Sequence, residues 1–221
     1  MSGSTTTLHH VHFEESSFKP QYQANAAPLA LSSFAMTSFV YSIYLTGAGG
    51  ITNSNVGLGL ALFYGGAIQL LSGLFELKRG DVFHATVFSS YGGYWICFGF
   101  VHFDATGIIA SYKDDPEMLK NALGIFLIGW TIFTVLMLLC VLKSNLVLIA
   151  IFFLMVFINV FLTIATFTGN RFCEVVGGIL GVVVAFLAWY LSIALILTKE
   201  NSYFTLNIWP RVHPITSSEK V

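Results

Sequence analysis

Gln69, Ser72 and Glu76 recur at i, i+3 and i+7, and His84, Tyr91 and Phe98 recur every seven residues. Either spacing puts three side chains on one face of an α-helix. Both sets sit in apolar surroundings, where polar groups are costly and face a bundle interior or a wet cavity. Ser32, Ser33, Thr37, Ser38, Tyr41 and Tyr44 crowd a further apolar stretch, and Asn159 and Thr163 stand four apart in another. Hydroxyls and amides so arranged hold a small polar solute weakly, as throughput requires. A single Ser or Thr more often bonds its own helix carbonyl, so it is the aligned stripes that point to a polar path.

Glu76 and His84 flank the pair Lys78–Arg79. The plain reading is an interfacial Glu paired with a neighbouring cation. The sharper one is a proton-relay pair, since an imidazole titrates near neutrality. No Lys or Arg lies deep in an apolar stretch, and there is no HExxH, GxSxG, P-loop or carboxylate pair. These absences argue against an enzyme and predict no catalytic residue and no cofactor. His9, His10 and His12 cluster in a polar tail without an acidic or cysteine partner, so no metal site is predicted. Cys97, Cys140 and Cys173 form no CxxC and read as small core residues.

The elements that position these residues follow from hydropathy. Of 221 residues, 56% are hydrophobic and 10% charged, too little charge to coat a soluble globule. Six apolar stretches, 28–45, 56–77, 82–103, 122–142, 146–167 and 175–197, reach the roughly 20 residues needed to span a bilayer. The predicted fold is an all-α integral membrane protein of six transmembrane helices. Residues 1–27 and 198–221 are read as polar tails, and 28–197 as one transmembrane unit. With both termini cytoplasmic, that side holds seven basic residues (Lys19, Lys78, Arg79, Lys143, Lys199, Arg211, Lys220) against Lys113, Lys120 and Arg171 outside. The acidic run Asp114, Asp115 and Glu117 is read as part of a solvated outer connection. Small residues at four-residue spacing, Gly57, Ala61 and Gly65 in the second stretch and Gly177, Gly181 and Ala185 in the sixth, mark close helix contacts, within one subunit or between subunits. A net charge of -1 gives no reason to expect nucleic acid.

Several stretches together resemble the acetate uptake transporter family, which includes the bacterial succinate–acetate permease and the fungal ammonia-transport-outward proteins. The family's signature, Asn-Pro-Ala-Pro-Leu-Gly-Leu, reads here Asn25-Ala26-Ala27-Pro28-Leu29-Ala30-Leu31, departing at Ala26 and Ala30. Phe63-Tyr64-Gly65-Gly66 through Gln69 to Gly73-Leu74-Phe75-Glu76 is similar to its second helix, and Ser90-Tyr91-Gly92-Gly93-Tyr94-Trp95 to its third. Leu127-Ile128-Gly129-Trp130, Phe133-Thr134 and Phe167-Thr168-Gly169 are similar to the fungal branch.

The resemblance implies six helices around a narrow pore and a homo-oligomer, a hexameric ring in bacterial members. It implies a multi-pass protein of the plasma membrane that takes up acetate and related short monocarboxylates with protons, with ammonium export associated with fungal members. Phe34 and Tyr91 match the family's apolar constriction, and Met155 falls near its third member. Asn25, Thr37, Tyr64 and Gln69 then become candidate substrate-binding residues, and the helix beginning near Pro28 offers a positive N-terminus to an anion. Two alternatives stay open: a passive channel for acetate, acetic acid or ammonia, and a membrane sensor that transports nothing.

Overall fold

The computed structural model describes residues 24–211; the reading of His9, His10 and His12 lies outside the described residues. Six helices are present: α1 Ala27–Thr46, α2 Val56–Arg79, α3 Val82–His102, α4 Pro116–Val141, α5 Leu146–Thr168 and α6 Arg171–Ile196. Five are long and apolar enough to cross a membrane by themselves. The sixth, α3, is diluted by His84, Thr86, Ser89, Ser90 and paired glycines.

Local chemistry sets the ends. Pro28 occupies the first turn of α1, where a missing N–H costs nothing. α2 stops at Gly80, φ +86°, with the Asp81 N–H reaching back to the Glu76 carbonyl at 3.0 Å. Asp81 then caps α3 by accepting from the His84 N–H at 3.0 Å. Asp115 caps α4 through the Met118 N–H, with Pro116 in the first turn and Glu117 paired to Lys120 at 2.6 Å. The acidic run therefore belongs to a helix start as well as a connection, and α4 begins six residues ahead of its apolar stretch. Asn170 likewise starts α6 early, accepting from the Phe172 N–H at 2.9 Å. Between Leu60 and Ile68, α2 widens into a π-helix.

Packing runs around the bundle in the order α3, α2, α1, α6, α5, α4. The α1–α6 seam is backbone-tight. A Cβ on Gly181 would strike Ser42 Oγ, one on Gly178 would come within 2.8 Å of the Ser42 carbonyl, and Ser192 Oγ donates to the Pro28 carbonyl at 2.7 Å. Gly65 faces Thr37 of α1, and Gly73 faces Ser89 of α3. The small-residue faces are thus contacts within one subunit. The α3–α4 seam differs: the two backbones hardly approach, and Tyr94 fills the gap against Phe126 at 5.8 Å and Trp130 at 5.1 Å.

Both ends of the described chain lie on one face of the bundle. The segment after α6 folds back there: Trp209 stacks on Tyr190, and its carbonyl accepts the Leu146 N–H at 3.1 Å. The Arg211 N–H donates to the Ser144 carbonyl at 3.2 Å. Residues read as a polar tail are therefore tied, as far as Arg211, to the α4–α5 turn.

Candidate functional site

Two cavities lie on the bundle axis. The larger, about 400 Å³, opens toward the face opposite the chain ends, with Gly169 and Glu174 at its mouth. Phe34 of α1, Tyr91 of α3 and Met155 of α5 all line it, each over nine-tenths buried. The Phe34 and Tyr91 ring centroids are 6.4 Å apart, tilted by 58°. The smaller cavity, about 160 Å³, lies at the face carrying the chain ends and is lined by Asn25, Arg79, His84, Phe88, Leu31 and Leu148 among others.

Among the described residues none lines both cavities. Phe34 stands one turn above Leu31, and Tyr91 one turn above Phe88, so the apolar partition is about 5 Å thick along these helices. Phe152 seals it from α5, fully buried against Tyr91 at 6.4 Å and Phe83 at 6.2 Å. Nothing in the run around Phe152 separates it from its exposed neighbour Phe153.

The two stripes part company. His84, Tyr91 and Phe98 all face the axis, as a common helix face requires. Gln69, Ser72 and Glu76 do not: they share the face of Gly65 that meets α1, and all three are buried there. Thr37 is fully buried against Gly65, its hydroxyl donating to the Ser33 carbonyl at 2.9 Å. Thr37, Tyr64 and Gln69, read as substrate-binding candidates, line neither cavity. The cause is the glycine at position 65, which draws α2 onto α1 and closes the space that a polar face would otherwise line.

Glu76 ties α2 to the start of α1. Its Oε1 accepts the Ala26 N–H at 2.6 Å and its Oε2 accepts Arg79 Nε at 2.8 Å. Asn25 Oδ1 accepts the Ala27 N–H at 3.0 Å. Two donors at the α1 N-terminus are therefore already occupied, and the expected anion cradle near Pro28 is filled by the protein's own side chains. A Pro at position 26, as in the resembling family's signature, has no N–H for Glu76, so this bond belongs to the Ala26 form.

Arg79 also reaches Asp81 Oδ2 at 3.2 Å, and that oxygen meets His84 Nδ1 at 2.7 Å. Glu76, Arg79, Asp81 and His84 thus form one chain of charge from the α1 start to the smaller cavity. Burial pushes the Asp81 carboxyl upward, but hydrogen bonds from the His84 backbone and ring, with the His84 and Arg79 charges, hold it below its ordinary value.

Deep in the larger cavity, Tyr91 Oη lies 2.8 Å from Thr134 Oγ1, which also receives Asn159 Nδ2 at 3.0 Å. Trp130 and Phe133 pack their rings on Tyr91 at 5.7 and 5.6 Å. Arg79 and the α4 set, Trp130, Phe133 and Thr134, were legible in sequence only as a turn cation and a motif match, not as site residues.

An all-helical membrane bundle with two axial cavities divided by an aromatic partition defines the class, a solute-conducting membrane protein. The chain belongs to the GPR1/FUN34/yaaH family, which matches residues 11–211. It is 44% identical over 200 residues to ammonia transport outward protein 2 of Saccharomyces cerevisiae, covering 90% of this chain and 69% of that one. It is 31% identical to the succinate-acetate/proton symporter SatP of Escherichia coli strain K12, covering 80% and 90%. Its fold is similar to the structure of the bacterial acetate channel SatP, with a TM-score of 0.70 at 29% identity, covering 84% of this chain and 98% of that one.

Proposed function

We propose that this protein carries acetate and related short monocarboxylates across a membrane, each with a proton and with no chemical step. The observation that supports this best is the pair of cavities on opposite sides of the Phe34–Tyr91–Met155 floor. A small solute with a methyl at one end and oxygens at the other suits an aromatic pinch beside a few hydroxyls and an amide. The missing deep cation keeps it from being held too tightly for passage.

In this reading Phe34, Tyr91 and Met155 are the constriction, and Asn25, Arg79 and His84 receive solute in the smaller cavity. Glu76 and His84 are the proton-relay candidates, joined through Arg79 and Asp81. Residues 28–197 are the transport unit, both termini are cytoplasmic, the membrane is the plasma membrane, and the assembly is a homo-oligomeric ring, a hexamer by analogy with the bacterial members. A second reading is supported by the 44% identity to a protein named for outward ammonia transport: the same path passes ammonium.

Purified protein in liposomes with labelled acetate, with and without an inward proton gradient, tests the proposal. Accumulation above equilibrium is the expected result. Equilibration without accumulation makes the protein a passive channel, flux of ammonium alone supports the second reading, and flux of neither sinks both.

A further inference from the structure

The hydroxyl of Thr134 has one hydrogen and two lone pairs, and the structure accounts for all three. It lies 2.7 Å from the Trp130 carbonyl, which can only accept, so the hydrogen goes there. Both lone pairs must then receive: Asn159 Nδ2 donates at 3.0 Å and the Tyr91 hydroxyl donates at 2.8 Å. The opposite assignment would set Thr134 Oγ1 against a carbonyl at 2.7 Å with no hydrogen between them. Turning the Asn159 amide over would likewise press two acceptors together.

This hub, on the wall between α3, α4 and α5, fixes what the constriction offers a solute. The Tyr91 proton is committed to Thr134, so toward the cavity its oxygen presents lone pairs only. Asn159 lines the cavity, and its Oδ1 has no partner among the described residues, which leaves that oxygen and one N–H. Among the described residues no charge offsets this balance. The side chains packed on Tyr91 from α1, α4 and α5 include the Phe34, Trp130, Phe133 and Phe152 rings and Met155, and the larger cavity's other ionisable groups are Tyr41, Tyr94 and the distant mouth residue Glu174.

We propose that Thr134, as a positioning residue, makes the constriction selective for a solute that brings its own O–H: the undissociated monocarboxylic acid. A carboxylate only accepts: it can take the free Asn159 N–H, but Tyr91 Oη and Asn159 Oδ1 then face it without a donor and go unpaired. The acid donates its O–H to Tyr91 Oη while its carbonyl accepts the free Asn159 N–H. The proton stays on the solute oxygen at the constriction, so carboxylate and proton pass it as one species. This inference rests on the transport reading above.

The test is labelled acetate flux into liposomes at equal pH on both sides, between pH 6 and 8, with the flux of protein-free liposomes subtracted. Above the ordinary carboxyl pKa the acid fraction falls about tenfold per pH unit, and the wild-type rate is expected to follow it. In Thr134→Val the Tyr91 proton is free to turn inward and meet a carboxylate, and the slope is expected to flatten to about twofold per unit. Thr134→Ser, which keeps the hydroxyl, should retain the wild-type slope; Thr134→Ala replaces the valine variant if that one does not reconstitute. A purely structural role would change the rate and leave the slope. The inference is overturned if the slope is unchanged in Thr134→Val, or lost in Thr134→Ser. Absent flux in the wild type removes the transport reading and this inference together.

Discussion

The α1–α6 seam and the α3–α4 seam are closed by opposite means. Along α1–α6 the backbones touch through Gly178 and Gly181, and Ser192 adds a bond to the Pro28 carbonyl. Along α3–α4 the backbones stand apart and rings fill the space, Tyr94 against Phe126 and Trp130, Tyr91 against Trp130. A backbone contact has no slack, because any movement of either helix meets atoms within van der Waals range. A ring contact can be remade by rotating side chains. The larger cavity is bounded by both seams, so its α1–α6 side is a fixed wall and its α3–α4 side an adjustable one.

The largest effect is expected at the fixed wall. Gly181→Leu drives a side chain into Ser42 and should cost about 3 kcal/mol or more, read as loss of monodisperse protein on size-exclusion chromatography in detergent. Normal yield would mean the seam is not tight and would break the comparison. Next comes the clasp at the foot of α1. Glu76→Gln leaves Arg79 with one charged partner and should cost roughly 2 kcal/mol of stability, read as a lower unfolding midpoint. Ala26→Pro removes one bond and no charge, and should cost about half as much. If Glu76 also relays protons, the glutamine variant alone shifts the pH dependence of acetate flux; an unaltered profile returns Glu76 to a purely structural pairing.

At the adjustable wall, and at the floor that Phe34 forms with Tyr91, the expected change is in selectivity rather than folding. Trp130→Ala and Phe34→Ala should leave the protein folded and raise butyrate flux relative to acetate, by about tenfold, or roughly 1.4 kcal/mol in relative barrier. Unchanged ratios in both would remove the constriction assignment. The smallest effect belongs to Asp81→Asn, under about 1 kcal/mol: the amide oxygen still caps α3, and what is lost is the charge facing Arg79 and His84. Because the Asp81 carboxyl is held below its ordinary value, its stabilisation is present above about pH 4 and lost as pH falls through the lowered value. Wild type and variant should therefore differ in thermal stability at neutral pH and converge in acid.

The six helices were legible because span length and apolar composition are local properties. Their ends were less so: Asp115 and Asn170 extend α4 and α6 past the hydrocarbon, where hydropathy carries no signal. The α3 stripe was legible because residues seven apart share a face whatever that face meets. The α2 stripe shows where such reading stops. Spacing grouped Gln69, Ser72 and Glu76 correctly, yet only the approach of α2 to Thr37 at Gly65 decides that they face a helix and not a cavity. Phe34, Tyr91 and Met155 stand at one cavity floor, having been singled out by motif and chain position. Thr134 had no such mark, since a lone threonine in a helix reads as a residue bonded to its own backbone. That bond is present, and it is what leaves the hydroxyl able only to accept from Tyr91 and Asn159.

The wide π-helical turn of α2 has a consequence for how this gene can change length. Over Leu60–Ile68 the chain holds more residues per turn than an α-helix needs. A one-residue deletion inside that segment can be absorbed by tightening to regular pitch, leaving both flanks facing as before. The same deletion below it, between Gln69 and Phe75, would rotate the following residues by about 100° and swing the Glu76 carboxylate away from Ala26. Indels that survive selection in α2 should therefore concentrate in its upper half, ahead of Gln69.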